Sequence, residues 1–102
     1  MQIWEILVPY QTNSGLKYSM THHKQWDAFV RKLTGGITIL KLSKGEWVSP
    51  SGKLYTEKMI PCRIICTSEQ IESVVDFTIE HYDQEAIAYY QITDNVILRH
   101  RK

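Results

Sequence analysis

The chain has 102 residues, 43% of them hydrophobic and 23% charged, with 12 Lys and Arg against 11 Asp and Glu. A chain of this length can bury about two thirds of its unfolded surface around one core, so a single domain over residues 1–102 is expected, without a disulfide or metal to staple it. The formal charge of +1 lacks the basic footprint of nucleic-acid or anionic-membrane binding, and the aromatic content excludes disorder.

The N-terminus places Glu5 inside an apolar run that stops at Pro9, which is not the pattern of a signal peptide. No uninterrupted apolar stretch approaches the length of a membrane-spanning helix. A cytoplasmic protein is expected. Cys62 and Cys66 are four residues apart in a segment read as a strand, roughly 13 Å from each other on one face, beyond the reach of a disulfide. Free buried thiols are expected there.

Residues 3–10 are dense in β-branched and aromatic side chains and read as a first strand, followed by turn formers from Gln11 to Gly15. Thr21 is positioned to cap a helix in which Trp26, Phe29, Val30 and Leu33 recur at helical spacing, before Gly35 and Gly36 stop it. Residues 37–44 alternate as a second strand broken by Gly45, and Ser49-Pro50-Ser51-Gly52 is a turn by composition. Residues 53–67 form a long third strand with Ile60, Cys62, Ile64 and Cys66 on one face and Tyr55, Glu57, Met59, Arg63 and Ile65 on the other. Pro61 removes one ladder donor, so a bulge is expected there. Thr67 and Gln70 make a capping box for a second helix with an apolar stripe of Ile71, Val74, Val75, Ile79 and Tyr82. Residues 86–92 are a fourth strand, and Asp94-Asn95 could turn residues 96–99 back as a short extra C-terminal strand.

The order strand, helix, strand, strand, helix, strand predicts an α+β, ferredoxin-like βαββαβ sandwich: an antiparallel sheet with two helices on one face. The face left open should then be polar, and it is not. Either Trp4, Ile6 and Val8 or Ile3 and Leu7 must lie there, with Met59 and Ile65 or their neighbours beside them. Such a patch predicts a homo-oligomer, most simply a dimer, or else a monomer whose hairpin and extra strand fold over the sheet.

No metal-ligand or phosphate-loop motif is present, and no cofactor is expected. His22 and His23 point about 100° apart on a helix and do not chelate as an i, i+4 pair would. His81 and His100 have no ligand-spaced neighbour in sequence. Tyr55, Glu57 and Arg63 share a strand face on which a carboxylate and a guanidinium would be poorly hydrated; they would hold a ligand or form an ion pair between subunits. Lys41, Lys44, Lys53 and Lys58 gather around Trp47 and Tyr55, a mixture suited to a small anionic or nucleotide-like ligand, or simply to a solvated hairpin.

The strings Gln25-Trp26-Asp27-Ala28-Phe29-Val30, Gly36-Ile37-Thr38-Ile39-Leu40, Gly45-Glu46-Trp47, Ser51-Gly52-Lys53-Leu54-Tyr55-Thr56-Glu57 and Asp83-Gln84-Glu85-Ala86-Ile87 resemble a family of small uncharacterised bacterial proteins, over residues 21–98. That resemblance implies a ferredoxin-like fold and marks Trp47, Glu57 and Gln84 as family positions. A looser similarity is to PII-like signalling proteins, which use the loop between strands two and three for ligands and partners. Together these point to a non-enzymatic, oligomeric binding or regulatory module with a ligand-binding set of Trp47, Tyr55, Glu57, Arg63 and Gln84. The alternatives are a small dimeric α+β-barrel-type enzyme acting on an apolar molecule, with Glu57 or a histidine as acid or base, and a structural protein-interaction partner.

Overall fold

A computed structural model describes all residues from Met1 to Lys102. In chain order the elements are β1 (Gln2–Pro9), α1 (Met20–Thr34), β2 (Thr38–Ile39), β3 (Ser43–Val48), β4 (Leu54–Cys66), α2 (Ser68–His81) and β5 (Tyr89–Thr93). The sheet runs β2-β4-β1-β5, with β3 continuing along β4 beyond β2, and every neighbouring pair is antiparallel. This is the ferredoxin-like architecture expected from the element order.

Alternation decides which face is the core. Trp4, Ile6 and Val8 stand across from Ile64, Cys62 and Ile60, so the open choice on β1 resolves with these three turned toward the helices. Ile6, Val8, Cys62, Ile64 and Cys66 from the sheet meet Trp26 and Val30 of α1, Ile71, Val74 and Val75 of α2, and Tyr82. Each fully buried aliphatic chain here contributes about 1.5–3 kcal/mol. The outer face carries Ile3, Glu5, Leu7, Met59, Arg63 and Ile65.

Both helices end where local chemistry requires. The α1 cap is Ser19, one turn's edge earlier than Thr21: its hydroxyl accepts the His22 N–H at 3.1 Å, while Gly35 takes a left-handed φ of 92° and closes the helix. Serine at 19 wins because its extended backbone leaves Met20 free to begin the first turn. On α2 the expected capping box forms, with Thr67 and Gln70 each accepting the other's backbone N–H. Trp26 Nε1 donates to Thr78 Oγ1 at 2.8 Å, and Thr78 Oγ1 donates to the Val74 carbonyl at 2.6 Å. This polar link between the helices lies wholly inside the core.

Three expectations about strands are corrected. Gly45 does not break a strand; it sits within β3 opposite Glu57, where a Cβ would come within 2.8 Å of the Met59 methyl. The break falls instead at residues 40–42, opposite Pro61. There the pairing steps from Ile39↔Cys62 to Ser43↔Met59, so the facing edge holds one residue more than β4. Pro61 stays in unbroken register with Leu7, its missing donor falls on that interrupted side, and the irregularity is across from it. The fifth strand of the sheet therefore comes from this division, and residues 94–102 form no strand. Four residues on an outer edge, followed by Arg99-His100-Arg101-Lys102, recover too little buried area to offset the cost of ordering them.

Candidate functional site

The Ser49 turn, with its N–H on the Lys53 carbonyl at 2.9 Å and Gly52 at φ 86°, sends β3 and the first half of β4 out past the core as an exposed arm. Near the base of this arm, on the face the helices leave uncovered, is a cleft of about 520 Å³. Its floor is Leu7 and Pro9 of β1, and one wall is the arm with Trp47, Tyr55, Glu57 and Met59. The opposite walls are the tight hairpin of residues 11–15 and the segment 84–88 that leads into β5.

Register brings Trp47 across from Tyr55, and their rings stack at 4.5 Å and 14°. Lys53 Nζ lies 5.0 Å from the centre of the Tyr55 ring. Glu57 is exposed and is the one carboxylate lining the cleft. Gln84 follows Asp83, whose φ of 49° ends α2; its N–H donates to the Ile79 carbonyl at 2.9 Å and its Nε2 to the Tyr82 carbonyl at 3.0 Å. Gln11 holds the other wall, with Nε2 donating to the Gly15 carbonyl at 3.1 Å. Thus Trp47, Tyr55, Glu57 and Gln84, read from separate parts of the sequence, line one cleft.

Arg63 does not join them. It shares the outer face, but its Nε donates to Glu5 Oε1 at 2.9 Å, and the Tyr90 hydroxyl donates to the other Glu5 oxygen. Glu5 is only 8% exposed, so one cation and one hydroxyl compensate a carboxylate that has lost most of its water. Arg63 instead borders a second groove of about 370 Å³ with Ile37, Ile65 and Leu98. Glu5 carries no signal in the sequence, because its role depends on the strand pairing that sets it beside Arg63.

The histidines, unrelated by spacing, do meet. His22 Nε2 donates to the His81 carbonyl at 2.6 Å and His81 Nε2 donates to the His22 carbonyl at 2.8 Å, with the rings stacked 3.8 Å apart. Tyr18, His22, His81, Phe77 and Phe29 form a continuous near-parallel stack that joins the helices. His23 Nδ1 bonds the Tyr82 hydroxyl at 2.7 Å, while its Nε2 is buried without a partner. Burial, and then the charge of His22, hold the His23 pKa below its ordinary 6.5 against the opposing pull of Asp27. Tyr18 donates to the Tyr82 carbonyl at 2.5 Å. The cluster therefore ties the start of α1 to the chain segment that delivers Gln84. No group of three or more His, Cys, Asp or Glu is arranged to hold a metal ion. Burial pushes the Cys62 thiol up to about 12 and Cys66 to about 11, and neither cysteine is paired.

No family model and no curated protein sequence matches the chain. Solved structures do match, at low identity. The periplasmic divalent cation tolerance protein CutA of Archaeoglobus fulgidus superimposes with a TM-score of 0.68 at 15% identity, covering 96% of this chain and 87% of that one. CutA1 of Oryza sativa gives a TM-score of 0.69 at 10% identity, over 95% and 82% of the two chains. The fold is that of the CutA proteins. A phage SAM lyase in complex with S-methyl-5′-thioadenosine also shares this CutA-like fold, with a TM-score of 0.62 at 18% identity over 94% of this chain and 92% of that one. The PII-like resemblance thus holds at the level of fold. No helix is long and apolar enough to cross a membrane.

Proposed function

We propose that the protein is a non-enzymatic, oligomeric binding module that takes up a small nucleoside-like molecule in the cleft beside Trp47. The observation that carries this reading is the convergence of the stacked Trp47 and Tyr55, the Glu57 carboxylate and Gln84 in one open cavity of about 520 Å³. Aromatic faces bind planar rings of any sequence or substituent, and a few polar groups at the rim fix their orientation. The nucleoside held by the phage lyase of the same fold adds support. Arg63 serves the fold through Glu5 and stands outside the proposed ligand set.

A second copy of the chain covers the outer sheet face in this reading. Ile65 is 36% exposed, Ile92 42% and Tyr90 46%, large side chains left open to solvent that a second copy would cover. The two unpaired thiols accord with a reducing, cytoplasmic compartment. Sedimentation should show a particle of at least twice 12.0 kDa; a lone chain at high concentration would refute the assembly.

The ligand reading is tested by thermal shift with adenosine and S-methyl-5′-thioadenosine. A raised Tm that disappears in Trp47→Ala supports it, and no response to either compound removes it. A second reading, a lyase, is favoured by Glu57 being the one carboxylate in the cleft and by the activity of the phage neighbour. Incubation with S-adenosylmethionine separates the two: release of S-methyl-5′-thioadenosine that is lost in Glu57→Gln assigns catalysis, and binding without turnover assigns the module.

A further inference from the structure

Two walls of the cleft are anchored by one cluster. The hairpin of residues 11–15 closes through a bridge between Gln11 and Lys17 and through the Tyr18 N–H, which donates to the Tyr10 carbonyl at 3.2 Å. The wall of residues 84–88 follows directly on Tyr82 and Asp83. The Tyr82 carbonyl accepts both the Tyr18 hydroxyl at 2.5 Å and Gln84 Nε2 at 3.0 Å, so one oxygen joins the two walls. The histidines seat the residues on either side of it. Tyr18 stacks on His22 at 5.0 Å, and the Tyr82 ring stands edge-on to Tyr18 at 4.9 Å and to His22 and His81 at 5.1 Å.

This arrangement suits neutral rings. His22 Nε2 and His81 Nε2 both face carbonyl oxygens, so each carries the hydrogen and each Nδ1 is the atom that would take a further proton. Protonation therefore puts charge on rings whose centres are 3.8 Å apart, and like charges at that distance repel strongly in a part-buried site. His23 is the next residue, and its buried Nε2 has no acceptor for another hydrogen. Burial and the charge of His22 both oppose its protonation; Asp27 of α1 is the one carboxylate that favours it. The other titratable groups against the cluster are neutral: the Tyr18 and Tyr82 hydroxyls and, beside Tyr82, the Cys62 thiol of β4. Lys24, Glu80 and Asp83 adjoin the cluster in sequence but are exposed and form no ion pair with it.

We propose that the histidine cluster is a proton-operated latch on the cleft: as pH falls from about 7.5 toward about 5 the charged rings separate, Tyr18 and Tyr82 lose their seating, and the walls that carry Gln11 and Gln84 part. The latch rests on the binding reading only for its purpose, control of occupancy by pH, and the movement itself requires no ligand. It is a local opening, distinct from loss of the sheet, because β1 and β4 stay paired along a ladder that no histidine enters.

The test is amide hydrogen exchange, read by NMR on the ligand-free chain at about pH 7.5 and about pH 5.5, with each rate corrected for the intrinsic pH dependence of exchange. The amides of Tyr18, Tyr82 and Gln84, bonded to the Tyr10, Thr78 and Ile79 carbonyls, report the latch. Those of the ladder between β1 and β4 report global unfolding. At the lower pH the latch amides should lose about tenfold more protection than the ladder amides. His22→Gln combined with His81→Gln keeps an uncharged donor near each Nε2 position and should bring the two sets within about twofold of each other. Equal losses in both sets, no loss at the latch, or a difference that survives the double variant overturns the proposal while leaving the binding reading intact; failure of adenosine to bind bears on that reading alone. If the double variant does not fold, an NMR titration of the parent chain decides. Shifts of the Tyr18 and Gln84 amides that move with the ring protons of His22 and His81 support the latch, and shifts that move only with the carboxylates, below about pH 5, overturn it.

Discussion

Replacing Thr78 by Val keeps the shape of a fully buried side chain and removes one oxygen. That oxygen accepts the indole N–H of Trp26, a residue 1% exposed, at 2.8 Å. The shape of the core is preserved, but the indole N–H is left in a place water does not reach, at a cost of about 1–3 kcal/mol. In a chain of this size each kcal/mol lowers the Tm by roughly 4–8 °C, so thermal unfolding followed by circular dichroism resolves the effect. Trp26→Phe provides the control. It removes the donor, so Thr78→Val in that background loses only the hydroxyl's bond to the Val74 carbonyl, an acceptor the helix already uses. The double-mutant cycle should give a coupling of about 1 kcal/mol or more between the two sites. Additive costs, or a Thr78→Val protein as stable as the parent, would refute the claim that this hydrogen bond is a buried structural link.

Three other outcomes are expected. Because His23 is held below 6.5 in the fold, the folded state binds fewer protons than the unfolded one in the window just under that value. Its contribution is thus present above pH 6.5 and lost as pH falls from there through the folded pKa; urea melts between pH 7.5 and 5 should show that decline, and His23→Asn should flatten it. Arg63→Ala leaves the Glu5 carboxylate, 8% exposed, with only Tyr90, and should cost about 1–3 kcal/mol. Glu5→Gln should cost less, since its amide meets both partners without a charge; equal urea midpoints for the two would count against the ion pair. Cys62 and Cys66, with thiols pushed up to about 12 and about 11, should resist a thiol reagent at pH 8 in the folded protein and react fully in denaturant. Rapid modification of either thiol without denaturant would contradict their burial.

Local patterns were legible. The apolar stripes of α1 and α2, the capping box at Thr67, the αL stop at Gly35, the turn at Ser49 and the alternation that places Cys62, Ile64 and Cys66 in the core all follow from interactions within a few residues. From their order came the sheet topology, because crossover handedness leaves few arrangements to choose from. The clustering of Trp47, Tyr55 and Glu57 on one wall was readable for the same reason, since strand period and a short turn settle it.

Tertiary contact decided the rest. Which parity of β1 faces the helices depends on its pairing with β4. Whether Arg63 is a ligand group depends on Glu5, 58 residues away in sequence and adjacent only across that ladder. The histidine stack joins residues 59 apart, and the strand break opposite Pro61 depends on which side of β4 its missing donor faces. Each of these is a relation between elements, fixed by register and packing, and a pattern that repeats every two or 3.6 residues carries information about faces but none about which faces meet.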